Sequence, residues 1–274
     1  MTSRSGFSLV EMVIVLVLAG IVSTAAISMF STQNRLNAAM TALGESQENA
    51  RSAVQVAATE IRAASGGSVL RARSDRLVVR VPVIVGIVCA LGTGNATHVY
   101  FPLNGRTIDL RDDVDGYGVR TADGDWDYDR LRGSDGFRGS SSRQACRDAG
   151  TGDIGEDSDY ATLRRRSLEI GGAVMLFREV EYAFGPSALD GSQRAFSRTR
   201  AGAKVELAQG FDTTSRFEYR LDGDTVWQSA VYSSLGSIDA VRVVADVNGR
   251  GTSGMASGSA SFSLIREIML RNAR

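Results

Sequence analysis

The chain has 274 residues, with 31 basic and 31 acidic side chains and a formal net charge of zero. This balance provides no basic surface for nucleic acid, so we expect no nucleic-acid partner. The length allows one long helix together with one or two modest domains.

A long apolar run near the N-terminus contains a single charged residue. The run from Val10 to Phe30 includes Glu11 and no other charge, and about twenty helical residues cover the ~30 Å hydrocarbon core of a bilayer. We therefore predict a transmembrane helix over residues 7–30, and Arg4 predicts that the short leader stays cytoplasmic. Glu11 either needs a partner inside the membrane or lies near the surface, where its carboxylate reaches water.

The residues around Glu11 resemble a known processing signal. The sequence Gly6-Phe7-Ser8-Leu9-Val10-Glu11, behind a leader that contains Arg4, resembles the class III signal of type IV pilins and type II secretion pseudopilins. The resemblance implies that prepilin peptidase cuts after Gly6 and removes the leader peptide 1–6. It also implies that Phe7 becomes the methylated N-terminus and that Glu11 is needed for assembly. A neighbouring subunit's α-amine would offset the cost of burying this carboxylate.

An apolar stripe with heptad-type spacing extends the predicted helix beyond the membrane. Its positions are Leu36, Met40, Leu43, Gln47, Ala50, Val54, Ala57, Ile61 and Ala64, of which only Gln47 is polar. Because no proline precedes the stop signal Gly66-Gly67, we predict one helix over residues 7–64 whose second half packs on a globular domain. Major pilins often have a helix-breaking proline at the position that Ser28 occupies here.

The residues after Gly67 have the composition of β-strands. Segments rich in β-branched and aromatic residues predict strands over 76–81, 83–88, 98–101, 167–170, 174–184, 204–207, 216–221, 226–232, 238–247 and 260–270. Pro82 predicts an edge or a bulge, and Asp222-Gly223 and Asn248-Gly249 predict hairpin turns. We therefore predict an α+β fold, with an antiparallel sheet laid on the long helix in an extracytoplasmic domain over 65–274.

A stretch rich in glycine, aspartate and arginine interrupts the predicted strands, and we expect residues 105–160 to form an irregular insertion. Alternating carboxylates in such a loop can converge on calcium. The candidate ligands are Asp113, Asp115, Asp123, Asp125, Asp127 and Asp129. Because the EF-hand frame is incomplete, the alternative is a solvated acidic loop that neighbouring arginines partly neutralise.

Cys89 and Cys146 lie in the part of the chain that we predict to be outside the membrane, where disulfides can form. A bridge that closes such a long loop would stabilise the fold by about 4 kcal/mol. The alternative is two separate buried thiols.

The C-terminal strands resemble a subset of the pilin-like family. A strand over 239–247, a loop of small residues and a final strand that closes in Leu270-Arg271-Asn272 resemble the large minor pilins of the PilW type and the related J-type pseudopilin. This resemblance implies a single-pass protein of the bacterial inner membrane that later joins the pilus. The implied partners are other minor pilins, the major pilin, prepilin peptidase, the inner-membrane assembly platform and membrane lipid, with a tip adhesin as a further candidate.

Three classes of function follow from these observations. The first is a minor pilin that primes or caps a type IV pilus, with the type II secretion pseudopilin as its alternative; the bulky domain favours the tip because it would hinder close packing along a shaft. The second is a binding module at the tip, ordered by calcium. The third, an enzyme, is disfavoured because no constellation supplies both a nucleophile and a base, and His98 is the only histidine.

Overall fold

A computed structural model describes residues 8–65, 67–102, 113–132, 135–137, 140–150, 158–164, 168–249 and 260–270. These residues form a long helix, one large antiparallel sheet and a short second helix. The α+β fold class predicted from the sequence is confirmed.

Helix α1 spans Leu9–Ala63 as 55 continuous residues, a length of about 80 Å at the usual rise per residue. Its first part is exposed along all faces, whereas its last three turns bury one face. The buried residues are Ala50, Ala53, Val54, Ala57, Ala58 and Ile61. The predicted stripe is therefore covered by the sheet only in its C-terminal half, and Leu36 and Met40 remain exposed.

The sheet contains thirteen strands among the described residues. In chain order, β1 to β13 are Val69–Arg73, Arg76–Leu91, Ala96–Pro102, Gly116–Arg120, Trp126–Arg130, Gly136–Phe137, Ser158–Arg164, Ala173–Pro186, Arg194–Arg200, Ala203–Phe211, Arg216–Leu221, Ile238–Gly249 and Ala260–Met269. The short helix α2 spans Ser140–Asp148.

The main path of the sheet runs β11-β12-β10-β9-β8-β2-β3-β7-β6, with β1 on β2, β13 on β12, and β4 on both β5 and β8. The long strands β2 and β8 pair over most of their length and run through two hydrophobic cores. The larger core lies between α1 and the strands β9 to β13, and the smaller core lies around β3, β4 and β7.

Pro82 lies inside one continuous strand, β2, rather than between two strands. On one side of β2, β1 pairs only as far as Val79 and β3 pairs only from Ile87 onward. On the other side, the pairing with β8 shifts register between Pro82 and Ile84. A bulge at a point without a second neighbouring strand tolerates a residue that has no N–H group, so the predicted bulge is confirmed.

The insertion over 105–160 was predicted to be irregular, but part of it forms regular secondary structure. Its described residues include strands β4, β5 and β6, helix α2 and the start of β7. β4 adds to β8, and β5 pairs with β4 as a hairpin. Strand formation here depends on pairing with a neighbour from a distant part of the chain, which local composition does not reveal.

Two predicted strands are absent, and one predicted turn is displaced. Residues 168–170 are not a strand, and residues 226–232 form only isolated bridges at Gln228 and Val231. Asn248 and Gly249 pair with Ser261 and Ala260 as strand residues, so the β12–β13 connection lies beyond them. The apolar alternation that faces the core extends the strand past the expected turn. Strands β1 and β9 were not predicted.

Candidate functional site

The N-terminal end of α1 carries the residue predicted to direct assembly. Ser8 is the N-cap residue, and its carbonyl accepts hydrogen bonds from the N–H groups of Glu11 (3.1 Å) and Met12 (3.2 Å). Glu11 therefore lies in the first turn of the helix, where the helix dipole favours a carboxylate. Gly6 and Phe7, the predicted cleavage residues, lie outside the described part of the chain.

The helix after Glu11 has an apolar surface that no described part of the domain covers. Every large hydrophobic side chain from Leu9 to Phe30 is more than half exposed. This is the one described helix long and apolar enough to cross a membrane. Such a surface requires lipid or other helices around it, because an apolar patch of this size is unstable in water.

Hydroxyl groups in the apolar segment and just after it bond to the helix itself. Thr24, Ser28 and Thr32 each donate a hydrogen bond to a backbone carbonyl three or four residues earlier, at 2.8 to 3.1 Å. These bonds satisfy the polar groups without water, as an apolar environment demands. At Ser28, where major pilins often have proline, α1 remains helical.

A polar contact anchors the other end of α1 to the sheet. The Glu60 carboxylate accepts two hydrogen bonds from the Arg198 guanidinium, both at 3.0 Å, and one from the Tyr182 hydroxyl. About four fifths of each charged side chain is removed from solvent, with exposures of 22% for Glu60 and 21% for Arg198. Burial and the adjacent Glu60 carboxylate raise the pKa of Tyr182, so its hydroxyl remains a donor.

This anchor was not predicted from the sequence. The available signal was the position of Glu60, an acid beside the apolar residues Ala57 and Ile61 in the docked part of the helix. Because Arg198 and Tyr182 are on β9 and β8, only the tertiary structure identifies them as partners.

The two cysteines form a disulfide that attaches α2 to the sheet. Cys89 on β2 and Cys146 on α2 have Cα atoms 5.1 Å apart. Both side chains are buried, together with Tyr160. Beside the bridge, His98 Nδ1 lies 3.2 Å from the hydroxyl of Ser142, a fully buried side chain. Burial lowers the pKa of His98. His98 and Ser142 therefore form a packing contact.

The six aspartates lie before the β4–β5 hairpin, in its turn and along its second strand. Asp123 and Asp125 lie in its turn, where Thr121 N–H donates to the Asp125 carbonyl at 2.8 Å. Asp127 and Asp129 lie on β5, and Asp113 and Asp115 precede β4.

Several of these carboxylates bond to protein groups. Asp113 pairs with Arg200, Asp115 accepts the Glu179 N–H at 2.7 Å, and Asp129 accepts a bond from Arg132 at 3.1 Å. Among the described residues, no three His, Cys, Asp or Glu side chains are grouped as metal ligands. The calcium site therefore stays a prediction.

The comparisons with known proteins concern the N-terminal segment. Residues 1–27 match the family model described as prokaryotic N-terminal methylation motif, whereas no curated protein and no solved structure matches the chain. The matched segment contains Gly6, Phe7, Glu11 and the start of α1. It supports a type IV pilin-like or pseudopilin protein with a prepilin-type signal, and the apolar helix fits a single-pass membrane-anchored protein.

Proposed function

We propose that this chain is a minor pilin that prepilin peptidase processes and that primes or caps a type IV pilus, at its tip. The observation that carries this proposal is the prepilin-type signal at the start of an exposed apolar helix. The same helix continues without a break to the residues that pack on the large domain. The exposed half of α1 would leave the lipid to pack with equivalent helices of other minor pilins and the major pilin. The assembly platform in the inner membrane would supply those subunits.

The size of the domain supports the position at the tip. The sheet extends from α1 through β2 and β8 to a second core, to which no described residue of α1 contributes. Repeated along a shaft, this extension would obstruct neighbouring subunits, whereas at the end of a filament it faces open space. A non-enzymatic role agrees with His98 and Ser142 lying in a packed cluster.

Intact mass of the protein from sheared surface filaments and from membranes tests this proposal. We expect a chain that begins at Phe7, about 14 Da heavier than its unmethylated form, in the sheared material. Mature protein confined to membranes and secretion-machine fractions would favour the type II secretion pseudopilin, which is the alternative. An uncut leader in both fractions would contradict both roles.

Substitution of Glu11 tests the assembly step separately. Glu11→Ala should abolish incorporation into filaments, because the carboxylate would no longer compensate a neighbouring subunit's amine inside the apolar bundle. The matched control is Glu48→Ala, which removes the same charge from an exposed position of the same helix. Filaments that still contain the Glu11→Ala protein would show that Glu11 has no assembly role.

A calcium-dependent binding surface is the second candidate, favoured by the display of Asp123, Asp125 and Asp127 on one hairpin. Isothermal titration with calcium should give heat that Asp125→Ala removes and that Asp224→Ala, in a different turn, preserves. Absence of heat at millimolar calcium would end this hypothesis.

A further inference from the structure

Strand β13 forms a lateral edge of the sheet in the described part of the chain. It pairs with β12 over ten successive residue pairs without a register shift, and no described strand pairs with its other side. The Leu270 N–H donates to the Asp239 carbonyl at 2.9 Å. Because the bonding direction alternates along an antiparallel strand, the N–H and C=O groups of odd-numbered residues, Ser261 to Met269, point away from the sheet.

This edge lacks most of the features by which proteins usually block strand addition. Short edge strands, bulges, prolines and inward-pointing charges are the common devices. β13 has ten residues, no proline and no bulge, and its one charge on the core-facing side is Arg266, which alternates with Leu264 and Ile268. Its outward groups are therefore an open template on which an extended segment can add a strand through main-chain hydrogen bonds.

A groove lies beside the same edge. It has a volume of about 600 Å³ and lies between the C-terminal ends of α1 and β13. Its lining residues are Thr59, Arg62, Ala63, Glu267, Met269 and Leu270. The core-facing residues Phe262 and Leu264 of β13 are only partly buried, whereas Val241 and Val243 of β12 are completely buried. An added strand with apolar side chains on this face would complete the burial.

The charges at the edge favour an acidic occupant. Arg62 and Arg266 are exposed and have no acidic side chain within ion-pair distance among the described residues. Glu267 is already engaged by Arg242 at 2.6 Å. A segment with acidic side chains would therefore compensate a locally basic edge.

A second copy of this chain does not fit the edge. Two copies that pair β13 with β13 in antiparallel fashion are related by a two-fold axis normal to the sheet. That axis reverses every direction in the plane of the sheet, including the direction of α1, which packs across the face. The two apolar N-terminal halves would then point in opposite directions and could not enter one membrane.

We infer that the open edge of β13 binds an extended acidic segment of a different polypeptide, which adds to the sheet as a further strand. Its apolar side chains lie in the groove beside Ala63 and over Phe262 and Leu264, and its carboxylates lie near Arg62 and Arg266. This interaction goes beyond the proposed role in filament assembly and does not depend on Glu11.

The test measures the anisotropy of a fluorescein-labelled peptide, Thr-Val-Thr-Glu-Thr-Glu-Thr-Val-Thr-Val-Thr, with the detergent-solubilised full chain. Its valines and glutamates share one face, because side chains two residues apart lie on the same side of a strand. Ile265→Pro removes an outward N–H without removing a bond to β12 and should weaken binding about tenfold or more. The control Ile265→Thr keeps that N–H and should bind within about threefold of the unchanged protein. A peptide with lysine in place of glutamate should bind about tenfold more weakly at low salt.

Circular dichroism establishes that the proline variant is folded, and Ser263→Pro replaces it if it is not, because Ser263 also has an outward N–H. Equal binding by a folded proline variant, no binding of the acidic peptide, or stronger binding of the lysine peptide would overturn the inference. So would a chain that dimerises instead of binding the peptide. None of these measurements involves filaments, so their failure is distinguishable from failure of the pilin assignment.

Discussion

At the scale of single residues, Glu60 connects the long helix to the sheet. Its carboxylate accepts hydrogen bonds from both the Arg198 guanidinium and the Tyr182 hydroxyl. Such a bidentate, mostly buried pair is costly to break, because removing one partner leaves the other charge without compensation. This carboxylate therefore ties the C-terminal part of α1 to β8 and β9.

Glu60→Gln should lower the free energy of unfolding by about 3 kcal/mol, because Arg198 keeps its charge in a largely buried position. Urea denaturation in detergent measures the change. The control Glu48→Gln, exposed on the same helix, should be neutral, and Tyr182→Phe should cost about 1 kcal/mol for the lost hydroxyl. Equal stability of the Glu60→Gln protein would show that the pair does not anchor the helix.

His98 provides a pH dependence that can be measured directly, since it is the only histidine. Burial lowers its pKa below the ordinary value of 6.5, so the folded state favours the neutral ring. The neutral His98 ring makes its full contribution to the free energy of unfolding at pH values above the pKa that His98 has in the unfolded chain. This contribution decreases as the pH falls below about 6.5. Nuclear magnetic resonance titration should give a midpoint below that of the urea-unfolded chain. A midpoint at or above the unfolded value would contradict this sign.

At the scale of elements, the small residues of α1 determine how closely the helix approaches the sheet. Ala50, Ala57 and Ala58 are completely buried where the helix crosses the sheet. Alanine permits this approach, since a longer side chain would push the backbone away from the strands. The same helix has exposed alanines further from the sheet, for example Ala38.

Ala57→Leu should destabilise the fold by about 1–3 kcal/mol, because three additional carbons must enter a packed interface. Thermal unfolding followed by circular dichroism measures the effect. Ala38→Leu makes the same chemical change on the exposed part of α1 and should alter the midpoint little. A neutral Ala57→Leu would mean that the helix can shift on the sheet without cost.

At the scale of the whole molecule, two cores share two strands. β2 contributes Leu77 and Val79 to the larger core and Ile84 and Val88 to the smaller one. β8 likewise passes through both cores. Since an interruption of either strand exposes both cores, we expect the domain to unfold as one cooperative unit.

The two tryptophans allow this cooperativity to be measured. Trp126 is on β5, which pairs with β4 of the smaller core. Trp227 stacks on Arg242, whose guanidinium carbon is 3.9 Å from the ring centroid. Trp126→Phe and Trp227→Phe each leave one reporter, and each variant's fluorescence midpoint should coincide with its own midpoint by circular dichroism. Separate midpoints within either variant would show that the two cores unfold independently.

The sequence by itself determined the features that depend on neighbouring residues. The processing signal around Gly6 and Glu11, the continuous helix and the strands with strong alternation, such as 174–184 and 238–247, were predicted because local periodicity specifies them. The bulge at Pro82 belongs to the same class, since it follows from a missing N–H group.

Only the tertiary structure decided the features that depend on residues distant in the chain. β4 and β5 form inside a stretch expected to be irregular because β8 provides a pairing partner, and 226–232 does not form a strand despite its composition. The Glu60 anchor and the open edge of β13 likewise require the sheet order, because partners and unpaired edges are properties of strand placement. Long-range pairing selects among local conformations of similar free energy, and no local pattern encodes that selection.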